Sequence, residues 1–66
     1  MEIHVNDDSY TFSGSCVQDL MENLNLLQKK GIAIALNQSI IPKSDWHNTS
    51  IKENDSIIII TAAAGG

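Results

Sequence analysis

The sequence has no arginine, a single cysteine, a single proline and no long hydrophobic run. Four lysines against eight acidic residues leave a net charge of −4, which argues against a nucleic-acid or anionic membrane surface because both need clustered positive charge. One cysteine permits neither an internal disulfide nor a multi-cysteine metal site. The apolar runs Ile32–Leu36 and Ile57–Ile60 are too short to cross a bilayer, and the start of the chain lacks a signal-peptide pattern. These absences predict a cytoplasmic protein that binds neither nucleic acid nor membrane.

What the chain does contain is apolar material for one small core. Hydrophobic residues make up 42% of its 66 residues, and ten of them are isoleucine. A chain of this size buries only about 60% of its unfolded surface, so a single core must hold the fold. An enclosed enzyme pocket is therefore not expected.

The first thirteen residues alternate between apolar and polar side chains. Ile3 and Val5 share one face, and Tyr10 and Phe12 resume the alternation after a polar segment at residues 6–9. Period-two alternation around a segment rich in Asn and Asp predicts a β-hairpin over residues 2–13.

A helical period follows the hairpin. Ser15 is predicted to open the helix, with Gln18 three residues later completing a capping box. Lys29 and Lys30 suit the negative end of a helix, and Gly31 is predicted to stop it in the left-handed conformation. The apolar stripe is Val17, Leu20, Met21, Leu24 and Leu27.

The second half of the chain returns to strand patterns. Four consecutive isoleucines at 57–60 predict a central strand with side chains on both faces of the sheet. Strands grouped around one helix predict an α+β fold, a sheet with one main helix packed across one face. The other elements predicted here are a strand at Ile32–Leu36, a turn at Asn37-Gln38, a return strand at Ser39–Ile41, a helical turn at 42–46 that Pro42 begins, an edge strand at Ile51 and a polar turn at 53–56.

Side chains of the types that enzymes use for catalysis are scattered along the sequence. His4 and His47 have no carboxylate or cysteine at ligand spacing, and Cys16 stands alone at the start of the predicted helix. No nucleophile, base and orienting group come together even in outline. We therefore predict no catalytic residue, no metal site and no bound cofactor.

The chemically informative feature is the terminal pair Gly65-Gly66. Glycine has no Cβ atom, so such an end can enter a narrow channel in a partner enzyme. Six residues beyond Ile60 reach about 20 Å when extended. A carboxylate is a poor electrophile until an ATP-consuming partner activates it as an acyl adenylate. We predict a domain at residues 1–61 followed by a flexible tail at 62–66, the arrangement of a carrier.

The run ALNQSIIPKSDW at residues 35–46 resembles the core motif of the ThiS family, sulfur carriers of thiamin biosynthesis with a ubiquitin-like β-grasp fold and mixed sheet. Residues 49–51 and 53–55 stand where that family has a T-x-L segment and a D-G-D turn. Two positions depart from the family pattern. Lys43 replaces arginine and so loses the bidentate fork, and Asn54 replaces glycine but also tolerates the left-handed conformation.

The resemblance implies a reaction cycle at Gly66. A ubiquitin-activating-like enzyme of the ThiF type would adenylate Gly66 with ATP, and sulfur from a desulfurase system would convert the adenylate to a thiocarboxylate. Thiazole synthase of the ThiG type would then take the sulfur. The residues expected to give access to the tail are Gly65, Ala64, Ala63 and Ala62, and the candidate partner surface is the strand Ile57, Ile58, Ile59 and Ile60, two of whose side chains are expected on the uncovered sheet face.

Three alternatives remain open at this point. A MoaD-like carrier for molybdopterin synthesis shares the Gly-Gly end, and so does a ubiquitin-related modifier that forms amides with lysines. A protein-interaction module with an inert tail belongs to a different class. Trp46 is predicted to cover the core rather than contact a partner, because a small domain needs every large ring inside.

Overall fold

The computed structural model describes residues 1–61 of the chain. In chain order its elements are strands β1 (Glu2–Val5) and β2 (Asp8–Thr11), helix α1 (Val17–Asn23), strands β3 (Ile32–Leu36) and β4 (Ser39–Ile41), a 3-10 helix (Lys43–Asn48) and strand β5 (Ser56–Thr61). The predicted tail at residues 62–66 lies outside the described residues.

The five strands form one mixed sheet in the order β2-β1-β5-β3-β4. Strand β5 is central, parallel to β1 and antiparallel to β3, while β1–β2 and β3–β4 are antiparallel hairpins. The core joins residues of the sheet, α1 and the 3-10 helix on one side of the sheet. The predicted α+β class and the central position of residues 57–60 are confirmed.

Both hairpins turn on two residues in the left-handed conformation. Asn6 and Asp7 have φ of 51° and 72°, and Asn37 and Gln38 have φ of 50° and 76°. Positive φ at both central residues is typical of the tight turn that suits the twist of paired strands. The first turn is shorter than the predicted one, because residues 8 and 9 already pair in β2.

Helix α1 begins one residue later than predicted. Cys16, not Ser15, is the residue before the first helical turn. Asp19, not Gln18, completes the cap: its carboxylate accepts hydrogen bonds from the backbone N–H of Ser15 at 2.9 Å and of Cys16 at 3.3 Å. The sequence correctly predicted a capping box at the start of the helix but placed it one residue too early.

The predicted end of the helix at Gly31 is wrong. The helix ends at Asn23, and Asn25 turns into the left-handed region with φ 59°. Leu27 still packs against the core, but it does so from the connection between α1 and β3. The apolar spacing therefore continued past the helix because the following loop also covers the core. Gly31 has φ 75° and leads into β3 instead.

Trp46 covers the core from the 3-10 helix, as predicted. Its side chain is 3% exposed, and its indole N–H donates to the carbonyl of Ile41 at 3.1 Å. Pro42 precedes this helix as its cap rather than occupying the first helical position. The ammonium of Lys43 lies 5.8 Å from the centre of the Trp46 ring, within range of a cation–π attraction.

The predicted edge strand at Ile51 is wrong. Ile51 is buried, with 3% of its surface exposed, but it lies in a loop that pairs with the start of α1. The N–H of Ile51 donates to Ser15 O at 2.9 Å, and the N–H of Val17 donates to Thr49 O at 2.9 Å. The loop thus takes up a backbone amide at the start of the helix that has no partner within the helix itself.

The cap at Asp19 predicts a dependence of stability on pH. Hydrogen bonds from the backbone of Ser15, and then of Cys16, lower the pKa of Asp19 in the folded protein. A lowered folded pKa contributes stability above the usual aspartate pKa of about 3.9, and this stability is lost as pH falls through the folded pKa. We expect Asp19→Asn to lower the free energy of unfolding at pH 7 and to match the unsubstituted chain near pH 2, measured by urea unfolding.

Glu22→Gln is the matched control, because it removes the same charge from an exposed position on the same helix. It should change stability little at either pH. A deficit of Asp19→Asn that is equal at pH 7 and pH 2 would contradict the role of the ionised carboxylate.

Candidate functional site

Strand β5 presents different side chains to the two faces of the sheet. Ile57 is fully buried in the core and Ile59 packs against it. Ile58 is half-buried and Ile60 is 51% exposed on the opposite face. Two of the four isoleucines therefore lie on the uncovered side, as expected. Including Ile57 and Ile59 in a partner surface was wrong, because the period of a strand sends alternate side chains inward.

Neighbouring strands extend the apolar area around Ile58 and Ile60. Directly paired residues on adjacent strands share a face. Ala35 pairs with Ile58 on one side and with Ile40 on the other, and Ala33 pairs with Ile60. Ile40 is 65% exposed, the most exposed large apolar side chain among residues 1–61. We call the group Ala33, Ala35, Ile40, Ile58 and Ile60 the open face; within it Ala35, between Ile40 and Ile58, is only 8% exposed.

Ile40 was not singled out from the sequence. The signal was present, since Ile40 and Ile41 are consecutive in a short strand and cannot both point inward. Ile41 packs against the core, which leaves Ile40 outside.

The other half of the uncovered side is polar. His4 on β1 pairs with Ser9 on β2 and with Ser56 on β5, and Glu2 pairs with Thr11. All five of these residues are exposed. The open face is therefore an apolar area confined to strands β5, β3 and β4. The same side of the sheet is polar along β1 and β2.

The open face lies on the strand that leads to the C-terminus. Strand β5 ends at Thr61, next to exposed Ile60, and Gly66 follows five residues later in the sequence. A partner that contacts the open face is thus close to the origin of the terminal segment. The predicted residues Ala62, Ala63, Ala64, Gly65 and Gly66 themselves lie outside the described residues.

Groups that could serve as acids, bases or nucleophiles stand apart. His4 and His47 are exposed, and Cys16 is a free, half-buried thiol at the start of α1. Among residues 1–61, no three His, Cys, Asp or Glu side chains lie together as metal ligands would. An open cavity of about 290 Å³ near the end of α1 has Glu22 and Leu27 in its wall, and Glu22 is the one titratable group that residues 1–61 contribute to it.

No helix within the described part of the chain has the length and apolar character needed to span a membrane.

Known proteins are similar to this chain in both sequence and architecture. The model of the ThiS family matches residues 3–66. Sulfur carrier protein ThiS of Escherichia coli (strain K12) is 34% identical over 67 residues, covering 100% of both chains. The chain belongs to the ThiS family. The predicted family and function are confirmed: it is a small sulfur carrier of thiamin biosynthesis.

Solved ThiS structures confirm the β-grasp fold. The crystal structure of the thiamine biosynthesis protein ThiS from Geobacter metallireducens matches with a TM-score of 0.83 at 25% identity, over 100% of both chains. An NMR solution structure of a thiamine biosynthesis protein from the same organism gives a TM-score of 0.80 at 25% identity, covering 100% of this chain and 88% of that one.

The residues that carried the resemblance to ThiS have structural roles in this chain. Asp55 accepts a hydrogen bond from the side chain of Asn37 at 3.1 Å and another from the N–H of Lys52 at 2.7 Å. Asn54, where the family has glycine, adopts φ 69° and donates its N–H to Glu2 O at 2.8 Å. The ThiS motif thus builds the entry to β5, and the expected tolerance of Asn54 for the left-handed conformation is confirmed.

Proposed function

We propose that the Gly66 carboxylate is the group on which this ThiS protein carries sulfur. A carboxylate oxygen attacks the α-phosphate of ATP in an activating enzyme of the ThiF type, which forms an acyl adenylate and releases pyrophosphate. A sulfide equivalent from a desulfurase system then attacks the acyl carbon and displaces AMP, leaving a C-terminal thiocarboxylate. Thiazole synthase of the ThiG type takes the sulfur, and an oxygen atom from water or from the sulfur acceptor replaces it, which regenerates the carboxylate.

The observation that carries this proposal is the family match through residue 66 of a chain that ends in Gly65-Gly66. An ionised terminal carboxylate has a reference pKa of about 3.3–3.7, so it needs activation before sulfur can add to it. Two glycines without Cβ atoms let catalytic groups of a partner approach that carboxylate closely. Ala62, Ala63 and Ala64 add a short threading segment of small side chains.

In this scheme the protein is a co-substrate rather than an enzyme. Its own side chains take no part in bond making, and it binds no cofactor of its own. ATP and the sulfur donor enter through the partner enzymes, in the cytoplasm where those enzymes act.

The open face is the docking surface in this proposal. An exposed apolar area with a polar border is typical of a protein–protein contact. Its position on β5 places the contact beside the origin of the segment that ends in Gly66. The activating enzyme of the ThiF type is the partner we assign to it first, because activation of the carboxylate precedes every other step, and thiazole synthase then uses the same face.

The proposal predicts a specific change in intact mass. Incubation of the untagged protein with ATP, an activating enzyme of the ThiF type and sulfide should add the mass difference of one oxygen replaced by sulfur. Fragmentation should locate the change at Gly66. The control without ATP should keep its original mass.

Two results would contradict the proposal in different ways. A mass unchanged by an activating enzyme that modifies its own cognate carrier would remove Gly66 as its substrate. An adenylate that forms amides with lysines and never accepts sulfur would indicate a modifier instead.

The docking assignment predicts the effect of a charge on the open face. Ile60→Lys should weaken binding to the activating enzyme at least tenfold, because the ammonium would have to be desolvated in an apolar contact. Its melting temperature should stay close to that of the unsubstituted chain, since half of the Ile60 side chain is already in water. Isothermal titration calorimetry and thermal unfolding measure the two quantities.

Gln28→Lys serves as the control, since it adds the same charge to an exposed residue beyond α1. Equal weakening by both variants would show that net charge, not the open face, governs binding. A large loss of stability in Ile60→Lys would show that Ile60 belongs to the core.

A further inference from the structure

The two hairpin turns of the sheet begin with the same residue in the same conformation. Asn6 starts the β1–β2 turn with φ 51°, and Asn37 starts the β3–β4 turn with φ 50°. Strands β1 and β3 flank β5 on its two sides. Both asparagines therefore lie beside the central strand, one on each side of it, because Val5 and Leu36, the residues before them, both pair with Ile57.

Asn37 holds the first residue of β5. Its backbone N–H donates to Ser56 O at 2.8 Å, and its side-chain oxygen accepts from the N–H of Ser56 at 3.0 Å. This is the end at which the chain enters the central strand.

Asn6 holds the same strand from its β1 side, further along the chain. Its backbone N–H donates to Ile57 O at 2.9 Å. Its side-chain oxygen accepts from the N–H of Ile59 at 2.7 Å, and its side-chain nitrogen donates to Ile59 O at 3.4 Å. One side chain thus bonds both backbone polar groups of Ile59.

The Asn6 side chain takes the place of a missing strand residue. The parallel pairing of β1 with β5 covers only His4–Ser56 and Val5–Ile57, because the chain then turns away at Asn6. Successive backbone groups along a strand point to alternate edges, so those of Ile59 face the β1 side rather than β3. The Asn6 amide is the partner that they find there.

We infer that Asn6 is a positioning residue for sulfur carriage: β3 pairs with one side of residues 59–61, the Asn6 side chain holds Ile59 on the other side, and together they set the direction in which the chain leaves the sheet toward Gly66. When the end of β5 is held in this direction, one partner enzyme can contact the open face and receive the terminal carboxylate at the same time. Without the Asn6 side chain, the pairing with β3 remains but Ile59 loses its partner on the β1 side, so the activating enzyme must restrict the remaining motion of this part of the strand as it binds. This inference rests on the function proposed above.

The turn by itself does not require an amide at this position. Glycine adopts a positive φ more readily than asparagine, so Asn6→Gly keeps the turn and removes only the side-chain bonds to Ile59. Asn37→Gly is a matched control. It makes the same substitution at nearly the same φ, with the same gain of freedom in the unfolded chain, but at the end of β5 far from Gly66.

The first readout is amide hydrogen exchange by NMR in the full chain. A typical net hydrogen-bond contribution corresponds to a change of roughly fivefold to tenfold. Asn6→Gly should speed exchange at Ile59 by that factor and leave Ser56 unchanged, while Asn37→Gly should do the reverse. Asn6→Asp retains the oxygen that accepts from the Ile59 N–H, so it should restore much of the slow exchange.

The second readout is steady-state adenylation by an activating enzyme of the ThiF type with ATP. Asn6→Gly should raise the KM for the carrier severalfold with kcat unchanged, because the cost of ordering falls on binding. Asn37→Gly should keep the KM of the unsubstituted chain.

The outcomes separate the two claims. Unchanged exchange at Ile59 in Asn6→Gly, or an equal KM for the two glycine variants, overturns the role of Asn6 while adenylation of the unsubstituted chain upholds the proposed function. An unsubstituted chain that is never adenylated overturns the proposed function and, with it, the positioning role.

Discussion

The position of β5 between parallel β1 and antiparallel β3 is the constraint on which the other features depend. Because the strand is central, Ile57 and Ile59 form part of the core while Ile58 and Ile60 stand on the open face. Full burial of an aliphatic side chain contributes about 1.5–3 kcal/mol, so Ile57, which is fully buried, stabilises the small core against which Ile59 packs. Ile60 is exposed on the other face, where we propose that it takes part in recognition.

This arrangement separates recognition from chemistry. The residues that define the ThiS motif have structural roles: Asn37 and Asp55 build the entry to β5, and Trp46 covers the core. They position the strand but offer no reactive group. The proposed chemistry lies at Gly66, which partner enzymes activate, so one folded domain can be recognised at successive steps while its terminus changes from carboxylate to thiocarboxylate.

Local patterns predicted the strands better than the ends of the helix. Period two identified β1 and β2, a run rich in β-branched residues identified β3, and side chains that favour left-handed φ marked the turns. The spacing of Leu24 and Leu27 extended the predicted helix too far, because a loop that packs on the core shows the same apolar residues as a helix. Ile51 was misread for a similar reason, since burial in a loop and in a strand select the same side chain. The contacts of Asn6 with Ile59, which are 53 residues apart in the sequence, follow from tertiary pairing and have no local signature.

The most direct test of the central claim is to delete Gly65-Gly66 and to measure both the fold of residues 1–61 and the formation of the thiocarboxylate. The account predicts unchanged NMR chemical shifts over residues 1–61, because the described domain makes its core without the terminus. It also predicts complete loss of thiocarboxylate formation, since the remaining carboxylate would end about 7 Å short of its place in the activating enzyme. A truncated chain that still accepts sulfur would show that Gly66 is not the carrier group, and a truncated chain that unfolds would show that fold and terminus are not separate.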